Sequence, residues 1–176
     1  MSTSPAMKTV VREEGECDLL ITREFAAEPA LVFACYTERD HLMNWWGPRE
    51  WPLKYCTIDL RVGGKWHYCM AGPQGQEAWS IATYREISPV TRLVYADFFS
   101  DAQGTETPPE SLTALDFVDL GNGRTRLDGR ATFASAEARA QVLAMGMVEG
   151  MNETLDRLDD HLEALRQARA TKETQP

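Results

Sequence analysis

A stripe of apolar residues near the C-terminus constrains this chain more than any other feature. Met147, Met151, Leu155, Leu158, Leu162 and Leu165 recur at spacings of four or three, which places them on one face of a helix. Most of the chain before it reads as short alternating strands. A sheet whose inner face is covered by one long helix must curve around that helix. Any width the helix does not fill is left as a hollow.

The strands and turns can be placed in order. Cys17–Phe25 reads as a strand with Leu19, Ile21 and Phe25 on one side. Glu28-Pro29 opens a helix through Leu31, Val32, Phe33 and Tyr36. Thr37 is placed to cap a second short helix, with Asp40 in the capping-box position, and Gly47-Pro48 stops it. Further strands are expected over Tyr55–Arg61, Lys65–Met70, Glu77–Ile87, Thr91–Phe99, Leu112–Val118 and Thr125–Phe133. Gly63-Gly64 and Gly121-Asn-Gly123 read as tight turns, and Ser100–Glu110 as a polar loop. The class is therefore α+β, with a curved antiparallel sheet of about seven strands, two short helices and a long final helix. That helix is expected from a Ser135 cap to about Arg169. Gly146 and Gly150 interrupt its first half, each costing up to ~1 kcal/mol against alanine. They either let the helix pass close to the sheet or leave space for a ligand. Residues 1–16 and 169–176 are expected as flexible tails around a single domain, 17–168.

Composition excludes several function classes. A net charge of −9 argues against a nucleic-acid partner, whose phosphates need a basic face. No apolar run approaches the ~20 residues of a membrane helix, so no membrane insertion is expected. Glu149, Glu153, Asp156, Asp159, Asp160 and Glu163 crowd one helix. They read as a solvated face, the alternative being a docking face for a basic partner. Cys17, Cys35, Cys56 and Cys69 show no CxxC spacing, and residues 1–16 contain no secretory pattern. Both fit reduced thiols and a cytoplasmic location. His41, His67 and His161 fall in separate elements with no paired-histidine motif, so no metal is expected. Phosphate-loop, dinucleotide and nucleophile-elbow motifs are also lacking, and no cofactor is expected.

Parity along the strands nominates a pocket. Trp66, Tyr68 and Met70 stand opposite Lys65, His67 and Cys69, while Trp79, Ile81 and Thr83 share a face. The expected ligand-binding set is Trp46, Trp66, Tyr68, Trp79, Ile81, Thr83, Tyr95, Asp97, Phe117, Met147 and Met151. Trp45 and Trp46 are adjacent on a helix and should face apart, one inward and one over the cavity mouth near Trp51. Asp97 alternates with Leu93, Tyr95 and Phe99, which would aim a carboxyl into an apolar hollow. Desolvation would raise its pKa and make it the candidate catalytic acid or base. The alternatives are a buried ion pair with Arg23 or Arg85, or a strand end that reaches solvent. Asp116 is expected to face outward.

Five motifs in order carry a family resemblance. They are Thr37…His41-Leu42…Trp45-Trp46-Gly47-Pro48, Asp59-Leu-Arg-Val-Gly-Gly-Lys-Trp66, Tyr84-Arg-Glu-Ile-Ser-Pro89 with Arg92-Leu-Val-Tyr95, Gly123-Arg-Thr-Arg-Leu127, and Glu149-Gly-Met151…Thr154-Leu-Asp-Arg-Leu158. With these the chain resembles the activator-of-heat-shock-ATPase-like (AHSA-type) branch of the START and birch-pollen-allergen (Bet v 1-like) superfamily, whose fold is the helix grip. The resemblance implies a deep pocket for a small hydrophobic ligand, such as a lipid or polyketide, between sheet and long helix. Where relatives often carry tryptophan after the helix glycine, this chain has Met151. Three functions stay open: a binding protein, a cyclase- or hydrolase-like enzyme using Asp97 with a tyrosine, and a stress-response chaperone cofactor. The larger chaperone activators have a further chaperone-binding domain, for which this chain is expected to be too short. Association as a homodimer is likewise open.

Overall fold

The computed structural model describes residues 9–175. Strand β1 (Val10–Glu14) leads into β2 (Asp18–Phe25), followed by helices α1 (Pro29–Thr37) and α2 (Arg39–Trp45). Six strands follow: β3 (Leu53–Ile58), β4 (Lys65–Ala71), β5 (Glu77–Ser88), β6 (Arg92–Phe99), β7 (Thr107–Gly121) and β8 (Arg124–Thr132). Helices α3 (Ala136–Ala144) and α4 (Met147–Glu173) end the order. The strands form one eight-stranded antiparallel sheet in the order β1-β2-β8-β7-β6-β5-β4-β3. Helices α1 and α2 thus carry the chain from β2 to the far edge at β3. A meander of hairpins then returns it to β2. Register shifts in the β5–β6 and β6–β7 pairings put bulges into the middle of the sheet, where they add bend and twist.

Several boundaries differ from the sequence reading, each for a local reason. Val10–Glu14, expected within a flexible tail, pairs with β2 from Val10↔Thr22 to Glu14↔Asp18, giving eight strands rather than seven. This edge strand has mostly exposed side chains, so period-two hydrophobicity gives no signal for it. Residues 1–8 of that tail lie outside the described residues. At the other end α4 continues to Glu173, through most of the stretch expected as a flexible tail. Thr37 ends α1 and donates its hydroxyl to the carbonyl of Phe33 at 2.9 Å; Glu38 occupies the cap of α2. The expected single last helix is two, because Gly146 adopts φ 86° at the start of α4. Ser135 does cap the first of them, accepting from the amide of Ala138 at 3.0 Å.

The turn at Gly63-Gly64 is wider than a two-residue hairpin, since β3 stops at Ile58. It is fastened to β5 by Gly63 N–H to the Tyr84 carbonyl at 2.8 Å and Tyr84 N–H to the Gly64 carbonyl at 3.0 Å. A side chain at Gly64 would overlap the Asp59 carbonyl oxygen and approach the Arg61 carbonyl oxygen at 2.9 Å. Gly64→Ala is therefore expected to destabilise the fold by at least about 2 kcal/mol, read by thermal or urea denaturation.

The core lies between the concave face of the sheet and the helices. Trp45, Trp66, Tyr84, Phe25, Leu42, Leu93 and Leu158 are fully buried there. From α4, Leu155, Leu158 and Leu162 enter this core, as the apolar stripe requires. The acidic face of α4 is only partly solvated. The guanidinium of Arg23, 2% exposed, donates to Asp156 at 2.7 Å and also to Asp159, while Arg49 pairs with Asp160 at 3.2 Å. Arg157 donates to the backbone carbonyls of Asn44, Trp46 and Gly47 at 2.8–3.1 Å. Among the described residues no helix is long and apolar enough to cross a membrane.

Candidate functional site

At one end of the concave face the inward positions are small. The β7–β8 and β2–β8 registers bring Thr113 opposite Ala131, and Gly129 opposite both Leu115 and Ile21. The first turns of α4 lie across this end and leave a cavity of ≈ 270 Å³. Its walls include Tyr36, Trp45, Trp46, Tyr68, Tyr95 and Leu115, with Met147, Met151 and Leu155 supplied by α4. Gly47 and Pro48 also line it, and the missing Cβ of Gly150 lets α4 approach Pro48, whose Cγ would stand 3.4 Å from that Cβ. A second hollow of ≈ 240 Å³ adjoins the first. The two share Asp97, Thr113, Ala131 and Met147.

The structure gathers part of the expected set here. Trp46, Tyr68, Tyr95, Asp97, Met147 and Met151 all line the cavity. Trp66 and Phe117 stand one layer back. Trp66 packs on Tyr68 with ring centroids 4.7 Å apart, and Phe117 lies edge-on to Tyr36 at 5.6 Å. The face assigned to Trp79, Ile81 and Thr83 needs correction. The β4–β5 register pairs them with Cys69, His67 and Lys65, on the convex side. Trp79 there packs against Tyr55 and His67, with centroids 5.4 and 5.0 Å away, and Thr83 accepts from Lys65 at 2.6 Å. Large apolar side chains on β5 marked the outer face as inward. The true inward residues Ala78, Ser80 and Ala82 are small, and their smallness helps to keep the interior open.

The tryptophan pair also departs from expectation. Trp45 ends α2, but Trp46 has left the helix with ψ 136°. Both rings therefore turn to the cavity, 5.3 Å apart and edge to face. Trp51 instead packs at Gly72, where a Cβ would stand 2.8 Å from its ring.

Asp97 does face inward. Neither arginine pairs with it: Arg23 belongs to Asp156 and Asp159, and Arg85 reaches Glu110 on the surface at 3.4 Å. Its polar partner is Ser111, directly opposite on β7, whose hydroxyl donates to Asp97 Oδ1 at 2.7 Å. Burial raises its carboxyl pKa to about 6 against the pull of that hydrogen bond. The same carboxylate, after burial itself, pushes up the phenols of Tyr68 and Tyr95. Asp116 faces outward as expected, bound by Arg92 at 2.8 Å.

The raised pKa has a consequence for stability. Unfolded Asp97 ionises near 3.8, and folded Asp97 near 6. Between these values the native state holds a proton that the unfolded state has lost, so stability falls as pH rises through the window. Above it the full penalty stands, roughly 1–3 kcal/mol. Asp97→Asn should therefore stabilise the protein by that amount at about pH 7.5 and by almost nothing below about pH 4. Urea denaturation at both pH values checks this, and equal effects at both would contradict it.

Away from the cavity, three residues that looked scattered in the sequence meet. His41 Nδ1 lies 2.9 Å from His161 Nε2, and Cys35 is beside both. No residue pattern marked this site, because its members come from α1, α2 and α4. His67 lies apart on the convex face, with Nε2 2.8 Å from the Asp101 carbonyl oxygen. All four cysteines are free thiols.

Comparison with known proteins places this geometry. A family model, "Activator of Hsp90 ATPase homolog 1-like protein", matches residues 26–163. No curated protein sequence matches significantly. Among solved structures, a solution structure of an Arthrobacter aurescens protein is 30% identical, with a TM-score of 0.82 over 88% of this chain and 91% of its own. A Mycobacterium smegmatis protein is 31% identical, with a TM-score of 0.79 over 87% and 95%. A Rhodobacter sphaeroides protein is 27% identical, with a TM-score of 0.80 over 89% and 99%. The helix-grip fold and the extent of the family match lead to one assignment: the chain belongs to the Activator of Hsp90 ATPase homolog 1-like family of the START/Bet v 1-like superfamily.

Proposed function

We propose that this protein binds a small hydrophobic or aromatic molecule, bearing one hydrogen-bonding group, in the cavity between the sheet and α4. The observation that carries this reading is a ≈ 270 Å³ hollow walled by aromatics and methionines, with the Asp97 carboxyl on its inner wall. An apolar hole of about 150 Å³ already admits benzene. The larger volume suits one or two rings, or a short branched chain. Burying ~200 Å² of ligand carbon would contribute about 5 kcal/mol before ordering costs. Above about pH 6 the ionised Asp97 accepts from a ligand hydroxyl, and below it the neutral carboxyl can also donate to a ligand carbonyl. The polarizable side chains of Met147 and Met151 adapt the helix wall to the ligand's shape.

Native mass spectrometry of protein purified from its own host tests this reading, since a co-purifying molecule would register as a discrete added mass. Met151→Trp would fill the space against α4. It is expected to weaken binding of the recovered molecule at least about 100-fold while the fold persists, a loss of about 2.7 kcal/mol. Unchanged affinity in that variant would contradict the placement.

A second reading, acid–base turnover in the same cavity, is favoured by one observation: the Asp97 carboxyl shares the cavity wall with the buried phenols of Tyr68 and Tyr95, and burial raises its pKa to about 6. Asp97→Asn separates the two. Binding that survives while conversion of the recovered molecule collapses supports an enzyme. Conversion that is never seen in the wild type supports a carrier.

A further inference from the structure

Cys35 on α1, His41 on α2 and His161 on α4 bring one sulfur and two imidazoles together, with ligand-capable atoms all within 4.8 Å of one another. The two rings stand at 70° with centroids 5.2 Å apart, and His41 Nδ1 is 2.9 Å from His161 Nε2. Around a tetrahedral zinc ion, two imidazole nitrogens lie about 3.3 Å apart and nitrogen and sulfur about 3.6 Å. The nitrogens would need to open by about 0.4 Å and the sulfur to close by at most about 1.2 Å, within side-chain adjustment. None of the three lines the cavity proposed for the organic ligand.

The surroundings hold these atoms in place. Trp45 Nε1 donates to the Cys35 carbonyl at 3.0 Å, tying α1 to α2 beside the sulfur. His161 is flanked on its helix by Leu158 and Leu162, both in the core. Glu38 Oε2 stands 3.5 Å from His41 Nε2. A carboxylate at the remote nitrogen favours the tautomer with the proton on Nε2 and leaves the Nδ1 lone pair for a ligand bond, the usual outer arrangement of a metal-bound histidine.

We propose that Cys35, His41 and His161 form a binding site for a divalent transition metal, zinc(II) being the ion that one thiolate and two imidazoles fit best. Three protein donors leave a fourth position for water. Binding forms one Zn–S and two Zn–N bonds. The thiol of Cys35 loses its proton to solvent. The proton between His41 Nδ1 and His161 Nε2 leaves His161 Nε2 and is replaced by one taken up from solvent on His161 Nδ1, a change of tautomer that keeps both rings neutral and releases no net proton. The net release is one proton per ion.

Titration of the reduced full-length protein with cobalt(II), then zinc(II), tests the proposal. One equivalent of cobalt should develop tetrahedral d–d bands and a thiolate charge-transfer band, which one equivalent of zinc erases. His41→Ala and His161→Ala should each weaken zinc at least about 100-fold by calorimetry. Cys35→Ser should remove the charge-transfer band, and Cys17→Ser and His67→Ala should change nothing. Zinc should also raise the melting temperature of the wild type but not of His161→Ala. That comparison carries the test if Cys35→Ser does not fold. Absence of a saturable one-to-one complex, or bands that persist in His161→Ala, would overturn the proposal.

Discussion

Replacing Asp156 and Asp159 together with alanine is expected to lower the unfolding free energy by about 3–5 kcal/mol. Arg23 is the reason. It rises from β2 with only 2% of its side chain exposed, and these two carboxylates of α4 receive its guanidinium. Removing both leaves a buried cation without a counter-charge, the costliest way to break such a pair. Asp159 is itself desolvated: burial raises its pKa despite the opposing pull of Arg23. The clamp also joins the first core strand to the last helix, so its loss should loosen the helix over the cavity. Arg23→Met should cost less, because the carboxylates are half or one-third exposed and can rehydrate. Urea denaturation of the double variant checks the magnitude. A loss under about 1 kcal/mol, the range of exposed ion pairs, would contradict the account.

Trp45→Ala should cost about as much, roughly 3–5 kcal/mol. The ring is 0% exposed, lies edge-on to Tyr36 at 4.9 Å and to Trp46 at 5.3 Å, and forms part of the cavity wall. Truncation enlarges the hollow and also strips the Cys35 carbonyl of its donor, a loss of about 1 kcal/mol. Trp45→Phe should recover most of the packing but not that hydrogen bond. Both variants lack that hydrogen bond, so the gap between them reports the packing of the ring, and identical losses in both would contradict the packing role. Guanidinium denaturation with tyrosine fluorescence or circular dichroism provides the measurement.

The architecture was readable because its signals are local and redundant. Pro29 starts α1, Ser135 caps α3, and the four-and-three stripe of α4 buries Leu155, Leu158 and Leu162. Asp97 is legible because period-two parity holds along β6. The same rule fails on β5, where Trp79 and Ile81 form an apolar patch on the convex side while the small Ala78, Ser80 and Ala82 stand on the concave face. Parity gives two faces but does not say which is inside; the register with β4 does. Edge strand β1 leaves no such signal because backbone pairing holds it, not buried side chains. Gly146 reads from the sequence as an interruption inside one helix, giving close packing or ligand space, whereas its left-handed backbone divides α3 from α4. The clamp of Arg23 and the meeting of Cys35 with His41 and His161 depend on how α4 docks across the sheet. No single stretch of sequence encodes that docking.

The occupancy of the cavity is best tested by methionine-methyl NMR during titration with a two-ring aromatic such as 2-naphthol. Met70, Met147 and Met151 line the hollow, whereas Met43 packs against the core outside it. The account predicts saturable shifts in the methyls of Met70, Met147 and Met151, a still signal from Met43, and loss of the response in Met151→Trp. Shifts that fail to saturate, or that follow the convex patch around Trp79 while the cavity methyls stay fixed, would contradict it.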